Sequence, residues 1–213
     1  PTIFDSEISI NGYNVLRKDR NRHGGGVICY IRSDISFNIL NIFSPEIENI
    51  FVDILLPKTK AFTVGFFYRP PNDSNFLDTI SCDFQKLLPD QKEIHIMGDI
   101  NINTLIDGKS ILGKKNNIKL SDSPLSTSGK RYKEFCNTHS LTQLIESETR
   151  ITCNSSRLID HILTNSPDKI TKSGVIDTSL SDHQMIYCTR KIKRAKFNFH
   201  KHIKCRSFKN YTG

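Results

Sequence analysis

Apolar residues recur at alternate positions, or in short unbroken runs, over seven stretches of the chain. These are 26–34 (GVICYIRSD), 50–57 (IFVDILLP), 61–70 (AFTVGFFYRP), 93–99 (EIHIMGD), 157–165 (RLIDHILTN), 172–178 (KSGVIDT) and 185–191 (MIYCTRK). They are rich in Ile, Val, Phe and Tyr and bounded by Gly, Pro, Asn or Asp, a pattern that predicts strands. Two stretches change to a helical period. Phe76, Leu77, Ile80, Phe84, Leu87 and Leu88 share one face, with Asp73 or Ser74 as N-cap and Pro89 as stop. Tyr132, Phe135, Cys136 and His139 follow i, i+3, i+4, i+7 spacing. Residues 103–129 are polar and read as a long loop. Seven strands without regularly alternating helices predict an α/β domain in which sheet stacks on sheet and helices lie outside, rather than a doubly wound parallel sheet.

Composition narrows this little. With 213 residues, 37% of them hydrophobic, the chain can bury one core of ordinary domain size. No apolar run approaches the ~20 residues that span a bilayer, so no transmembrane helix is expected. The chain starts at Pro1 without Met or an apolar leader, which reads as a fragment of a longer, intracellular protein, nuclear or cytoplasmic. The six cysteines form no CxxC pair and lie mostly in apolar stretches, so buried free thiols are expected.

Charge changes the picture more. The net charge is +8, yet residues 190–213 hold nine of the 30 Lys and Arg and no acid. The preceding 189 residues therefore carry 21 basic and 22 acidic groups. The high pI belongs to the tail, which suits phosphate contact or an interdomain linker. The domain boundary is placed at 190, with 191–213 as a basic linker.

Four short pieces put polar groups at strand ends, where sheet proteins build sites. In HIMGDININ, Asp99 and Asn101 are two apart and project from one side of an extended segment, or else form an Asx-turn. In RLIDHILTN, Asp160 lies amid apolar residues and requires a partner. The adjacent His161 points to the opposite face and reads as a core histidine. In SLSDHQMI, His183 is the natural partner for Asp160. A carboxylate on one ring nitrogen leaves the other to meet substrate, and Asp182, pointing away, is free for a metal. In GFFYRPPND, Tyr68, Arg69 and Asn72 end a strand in a Pro-stiffened turn that could donate to a phosphate oxygen, or else form an ordinary aromatic sheet rim. Acids suited to a hard cation, a His–Asp pair and neutral donors together fit metal-assisted phosphodiester cleavage.

The ordered set YRPPN, GDIN, SRLIDHIL and LSDH resembles the endonuclease/exonuclease/phosphatase superfamily. HGGGVICYIRSDI, HSLTQLIESETRIT and LIDHILTNS are most similar to the endonuclease domain of non-LTR (LINE-type) retrotransposon polyproteins. The resemblance implies a four-layer sandwich of two mixed β-sheets flanked by helices. It also implies a metal-dependent endonuclease that nicks DNA for retroelement integration with Mg²⁺ or Mn²⁺, and a reverse transcriptase in the same polyprotein. Asp99 would orient or deprotonate water, and Asn101 would hold the scissile phosphate. Asp160 would orient His183, and Tyr68 would lie near the phosphate or leaving group. Asn72 and Arg69 would bind substrate, and Asp182 would bind the metal. The family's opening strands carry an Asn and a metal-binding Glu. This chain starts just after the segment that Glu would occupy, so it is expected to be N-terminally truncated. Two other readings stay open: an inactive retroelement remnant that binds nucleic acid, and a phosphatase of the same superfamily.

Overall fold

The computed structural model describes residues 3–20, 25–87, 92–106, 109–110 and 126–192. A helical turn, α1 (Asp5–Ile8), precedes a hairpin of β1 (Tyr13–Lys18) and β2 (Val27–Arg32). Next come β3 (Ser36–Ile39), β4 (Glu48–Leu55), β5 (Phe62–Tyr68), α2 (Phe76–Phe84) and β6 (Ile94–Asp99). A short pair, β7 (Leu105–Ile106) and β8 (Lys109–Ser110), leads to α3 (Thr127–Thr138) and β9 (Thr142–Gln143). The chain continues through β10 (Arg150–Thr152), β11 (Ser155–Arg157) and β12 (Asp160–Thr164) to a hairpin of β13 (Ile170–Ile176) and β14 (Met185–Arg190).

Six strands form a mixed central sheet in the order β3-β4-β5-β6-β12-β9. Its one parallel pair is β5–β6, with α2 as the crossover that such a pair requires. Side chains alternate between its two faces. Phe51, Phe67, Ile94, Ile96 and Leu163 point to the side where α2 and α3 bring Phe76, Ile80, Phe84, Tyr132 and Phe135. Ile50, Val52, Val64 and Phe66 point to the other side, against Cys29 and Ile31 of the β1–β2 hairpin. On that same side Met97 and Ile162 meet Val175, Ile186 and Cys188 of the β13–β14 hairpin. The expected α/β sandwich is therefore present, and among the described residues its second sheet layer consists of separate two-stranded pairs. Strands buried on both faces read as near-continuous apolar runs, which is why β4, β5, β6 and β12 stand out in the sequence. β1 and β3 do not, because neither contains a fully buried residue to mark its face.

Both helices form over the stretches whose apolar spacing predicts them. The N-cap position of α2 is Asn75 rather than Asp73 or Ser74, and the Asp73 carboxylate accepts the Asn75 and Phe76 amides at 2.9 and 3.0 Å from just before it. The Ser126 hydroxyl accepts the Gly129 amide at the start of α3. The predicted stop at Pro89 and most of the 103–129 loop lie outside the described residues, as do the tail from 193 onward and Cys205. Cys29 and Cys136 are buried thiols, and burial pushes Cys29 up to about 11. Cys82 and Cys153 depart from expectation by being exposed, one on the outer side of α2 and one at the β10–β11 turn. No helix among the described residues is long and apolar enough to cross a membrane.

Gly98 fixes the spacing at one end of the sheet. A Cβ there would meet the Phe67 carbonyl oxygen at 1.8 Å, so any side chain would force β5 and β6 apart beside Tyr68 and Asp99. Gly98→Ala is expected to cost about 3 kcal/mol by overpacking, measured by chemical denaturation; unchanged stability would show that the strands are not held this closely.

Candidate active site

One register row crosses four adjacent strands at that end of the sheet. Glu48 of β4 pairs with Tyr68 of β5, Tyr68 with Asp99 of β6, and Asp99 with Asp160 of β12. Paired residues share a face, and this row shares the face of Phe66, Met97 and Ile162, toward the hairpins. The row lies at the C-terminal ends of the parallel pair, where open α/β sheets place their ligands.

His183 enters this row from the connection between β13 and β14. It forms a single antiparallel bridge with Arg150. The Ile151 amide donates to the Asp182 carbonyl at 2.9 Å and the Gln184 amide to the Thr149 carbonyl at 2.7 Å, which clamps the histidine's backbone on both sides. Its Nδ1 then lies 3.0 and 3.2 Å from the two Asp160 carboxylate oxygens. A carboxylate only accepts, so Nδ1 carries the proton and Nε2 is left for another partner. His161, one residue beyond Asp160, turns into the core beneath the Tyr132 ring, and its Nε2 donates to the Ile102 carbonyl at 3.1 Å. Burial holds its pKa down at about 4, so it stays neutral.

Asp99, Asp160 and His183 each offer a ligand atom, and all three atoms lie within 4.8 Å of one another. The pKa of Asp99 is raised by burial and then by the neighbouring Asp160 charge, against the pull of Asn101 and His183. Burial raises that of Asp160 too, against Thr149, His183 and Arg150. Two half-buried carboxylates side by side want either a proton or a cation. Two carboxylates part open to solvent, with the His183 ring beside them, are a donor set that fits Mg²⁺ or Mn²⁺.

Asn101 adopts a left-handed backbone (φ 51°) that folds it back over Asp99. Its backbone amide donates to Asp99 Oδ1 at 3.0 Å. Its side-chain Nδ2 donates to Asp99 Oδ2 at 3.1 Å and to the Arg69 carbonyl at 2.9 Å. Both side-chain amide protons are thus taken, one by Asp99 and one by the Arg69 carbonyl, and a phosphate contact from Nδ2 requires giving one up. The Asx-turn and the site are one object.

Arg69 is only 5% exposed. Its guanidinium donates to the carbonyls of Ile100, Asn101 and Asp73 at 3.2, 3.3 and 2.6 Å. It fastens the loop after β6 to the turn after β5 and faces away from solvent. Asn72 is exposed in that turn. Asp182 is exposed and ion-paired with Arg150 at 2.7 Å, outside the 4.8 Å cluster. Tyr68, Asp99, Asn101, Asp160 and His183 are therefore brought together, Arg69 lies beneath them, and Asn72 and Asp182 lie at the margin. Residues that the sequence pattern does not single out are Thr149, whose hydroxyl accepts the Asp160 amide at 3.0 Å, Arg150, and Glu48 with its partner Arg20. Their parts depend on pairings between distant segments, which no local pattern announces.

A family model described as endonuclease-reverse transcriptase matches residues 62–187, a span that contains Tyr68, Asp99, Asp160 and His183. The chain belongs to this family. No curated protein matches it. Among solved structures, the chain is similar to the endonuclease domain of TRAS1, a telomere-specific non-LTR retrotransposon. The TM-score is 0.67 and the identity 16%, over 87% of this chain and 83% of that one. It is similar as well to the 3′-5′ exonuclease NExo from Neisseria meningitidis (TM-score 0.60, 14% identity, 85% and 80% covered). A mannosyl-6-phosphatase from Bacteroides thetaiotaomicron shares the fold too (0.56, 14%, 88% and 80%). The family model places the domain in the endonuclease/exonuclease/phosphatase superfamily, and these solved structures share its fold.

The raised carboxylates give a stability prediction with a definite sign. At low pH the Asp99 carboxyl is protonated in both folded and unfolded chains and costs nothing. As pH rises above 3.8 the unfolded chain ionises first, so stability is lost up to the raised folded value. Asp99→Asn removes this loss. In chelator the variant should gain on the wild type as pH rises from about 4 toward the raised folded value of Asp99, at about 2–4 °C of melting temperature per kcal/mol relieved. Millimolar Mg²⁺ should stabilise the wild type and leave the variant unmoved. A gap independent of both pH and metal would remove the electrostatic account.

Proposed function

We propose that the domain is a divalent-metal-dependent endonuclease that hydrolyses a phosphodiester bond in DNA, nicking one strand for retroelement integration. The observation that carries this is the meeting of Asp99, Asp160 and His183 within 4.8 Å, with His183 held by Asp160 at 3.0 Å. The family's description, with its reverse transcriptase, supports a reverse transcriptase domain in the same polyprotein as partner.

In this reading Asp99, its pKa raised, orients the attacking water and takes its proton as the new P–O bond forms; the bond from phosphorus to the leaving oxygen breaks, and that oxygen takes a proton from solvent. Asn101 keeps the Asp99 carboxylate aimed. Asp160 fixes which nitrogen His183 presents, and Nε2 faces a phosphate oxygen. Tyr68, one strand from Asp99, lies beside the phosphate or leaving group. Bound Mg²⁺ or Mn²⁺, held by Asp99 and Asp160, supplies neutralisation of charge at the phosphate. Arg69 acts by holding the Asp99–Asn101 loop rather than by touching substrate.

Nicking of supercoiled plasmid in Mg²⁺ tests the reading. Chelation should abolish it, and His183→Ala should slow it by about 10²–10⁴-fold. Nicking untouched by either change would refute the assignment. The phosphatase neighbour favours a second reading, and turnover of a phosphomonoester without any nicking would favour it over the first.

A further inference from the structure

His183 is not the last basic residue in its line. Arg150 lies opposite it across the bridge between β10 and the β13–β14 connection. On its other side Arg150 pairs with Arg157 of β11. Residues directly opposite in antiparallel pairs share a face, so Arg157, Arg150 and His183 form one row that ends at the Asp160 carboxylate. Like charges set directly opposite oppose folding, so the two facing arginines are not there for stability. Arg157 is exposed and makes no ion pair among the described residues.

Arg150 is held at one point of its guanidinium. Nε donates to Asp182 Oδ2 at 2.7 Å, with the two side chains 38% and 43% exposed. Its Nη1 and Nη2 groups have no partner among the described residues. The ion pair is not what fixes the backbone here. The Ile151 and Gln184 amides already tie the two segments together on both sides of His183, and an exposed pair adds little to that. Asp182 instead aims the open edge of the guanidinium. The pKa of Arg150 is raised by Asp182 first and then by the charges of Asp99 and Asp160, so the group lies within electrostatic reach of both carboxylates.

The 189 residues ahead of the tail carry 21 basic against 22 acidic groups, so attraction for a polyanion must come from cations placed locally. Arg69 is buried and spent on backbone carbonyls, which leaves Arg150 as a solvent-facing cation beside His183. As water adds to a phosphodiester, negative charge grows on the oxygens that stay on phosphorus, and a guanidinium fork matches two such oxygens. We propose that Arg150, aimed by Asp182, binds the same phosphate that His183 faces and neutralises the charge developing there. This rests on the nuclease reading. Arg150 is then a catalytic residue, and Asp182 is a positioning residue rather than a metal ligand.

The test is plasmid-nicking kinetics of the whole chain in Mg²⁺, paired with binding of a short DNA duplex in chelator across a salt series. Arg150→Ala should lower kcat about 10²-fold with a smaller change in KM, because the contact strengthens in the transition state. Arg150→Lys restores the charge without the fork and should recover part of the loss. In chelator Arg150→Ala should lower the slope of log K against log salt by about 0.9, one phosphate contact. Asp182→Asn should lower kcat too, and the double variant should be no slower than Arg150→Ala alone, since Asp182 acts through Arg150. Losses that multiply, with more Mg²⁺ needed by Asp182→Asn, would make Asp182 a metal ligand and overturn the proposal. Nicking with kcat and slope unaltered by Arg150→Ala, even where the melting temperature falls, also overturns it and leaves the nuclease reading standing. A reduced slope with no nicking by any variant or by the wild type does the reverse: the nuclease reading fails and the phosphate contact stands.

Discussion

Two carboxylates forced side by side at the ends of β6 and β12 are the constraint around which this end of the molecule is built. Register puts Asp99 opposite Asp160, and neither can turn away without leaving its strand. Burial and their mutual repulsion oppose ionisation. Every neighbouring polar group opposes that effect: the Asn101 amides, the Thr149 hydroxyl, the His183 ring and, further out, Arg150. A fold that only needed stability would place apolar residues here, since unpaired buried charge costs several kcal/mol. The arrangement makes sense as a seat for a cation, with the folding free energy supplied elsewhere, chiefly by the aromatic core between the sheet and its helices.

The backbone features nearby serve the same constraint. Gly98 lets β5 approach β6 so closely that Tyr68 stands beside Asp99. The left-handed turn at Asn101 returns its amide to Asp99, and the buried Arg69 locks that turn by taking the carbonyls on both sides of the Ile100–Asn101 link. Arg69 is a cation surrounded by carbonyl oxygens, a use of charge to fix loop geometry. Its burial lowers its pKa, yet a guanidinium stays charged under any ordinary condition.

Much of this was legible in the sequence because it is local. An acid amid apolar residues, as at Asp160, demands a partner, and parity along the strand rejects His161 and leaves His183. The strands buried on both faces announced themselves, as did the Asp73 carboxylate at the start of α2. What was not legible depends on chain segments far apart. Arg69 looked like a substrate ligand because its neighbours are polar, and only the fold of 99–101 beneath it shows where the guanidinium goes. Asp182 looked free for a metal, and its ion pair with Arg150 comes from the bridge between β10 and the β13–β14 connection. Glu48 reads as an ordinary strand acid until β4 is placed beside β5.

The central claim is that Asp99 and Asp160, with His183 beside them, form the seat of one bound cation. It is tested most directly by adding Mn²⁺ to the protein and following the His183 ring protons by NMR, assigned through His183→Gln. The account predicts that substoichiometric Mn²⁺ broadens the His183 signals ahead of those of His95, His139 and His161. Broadening of the buried histidines first, or of no histidine at all, would contradict it.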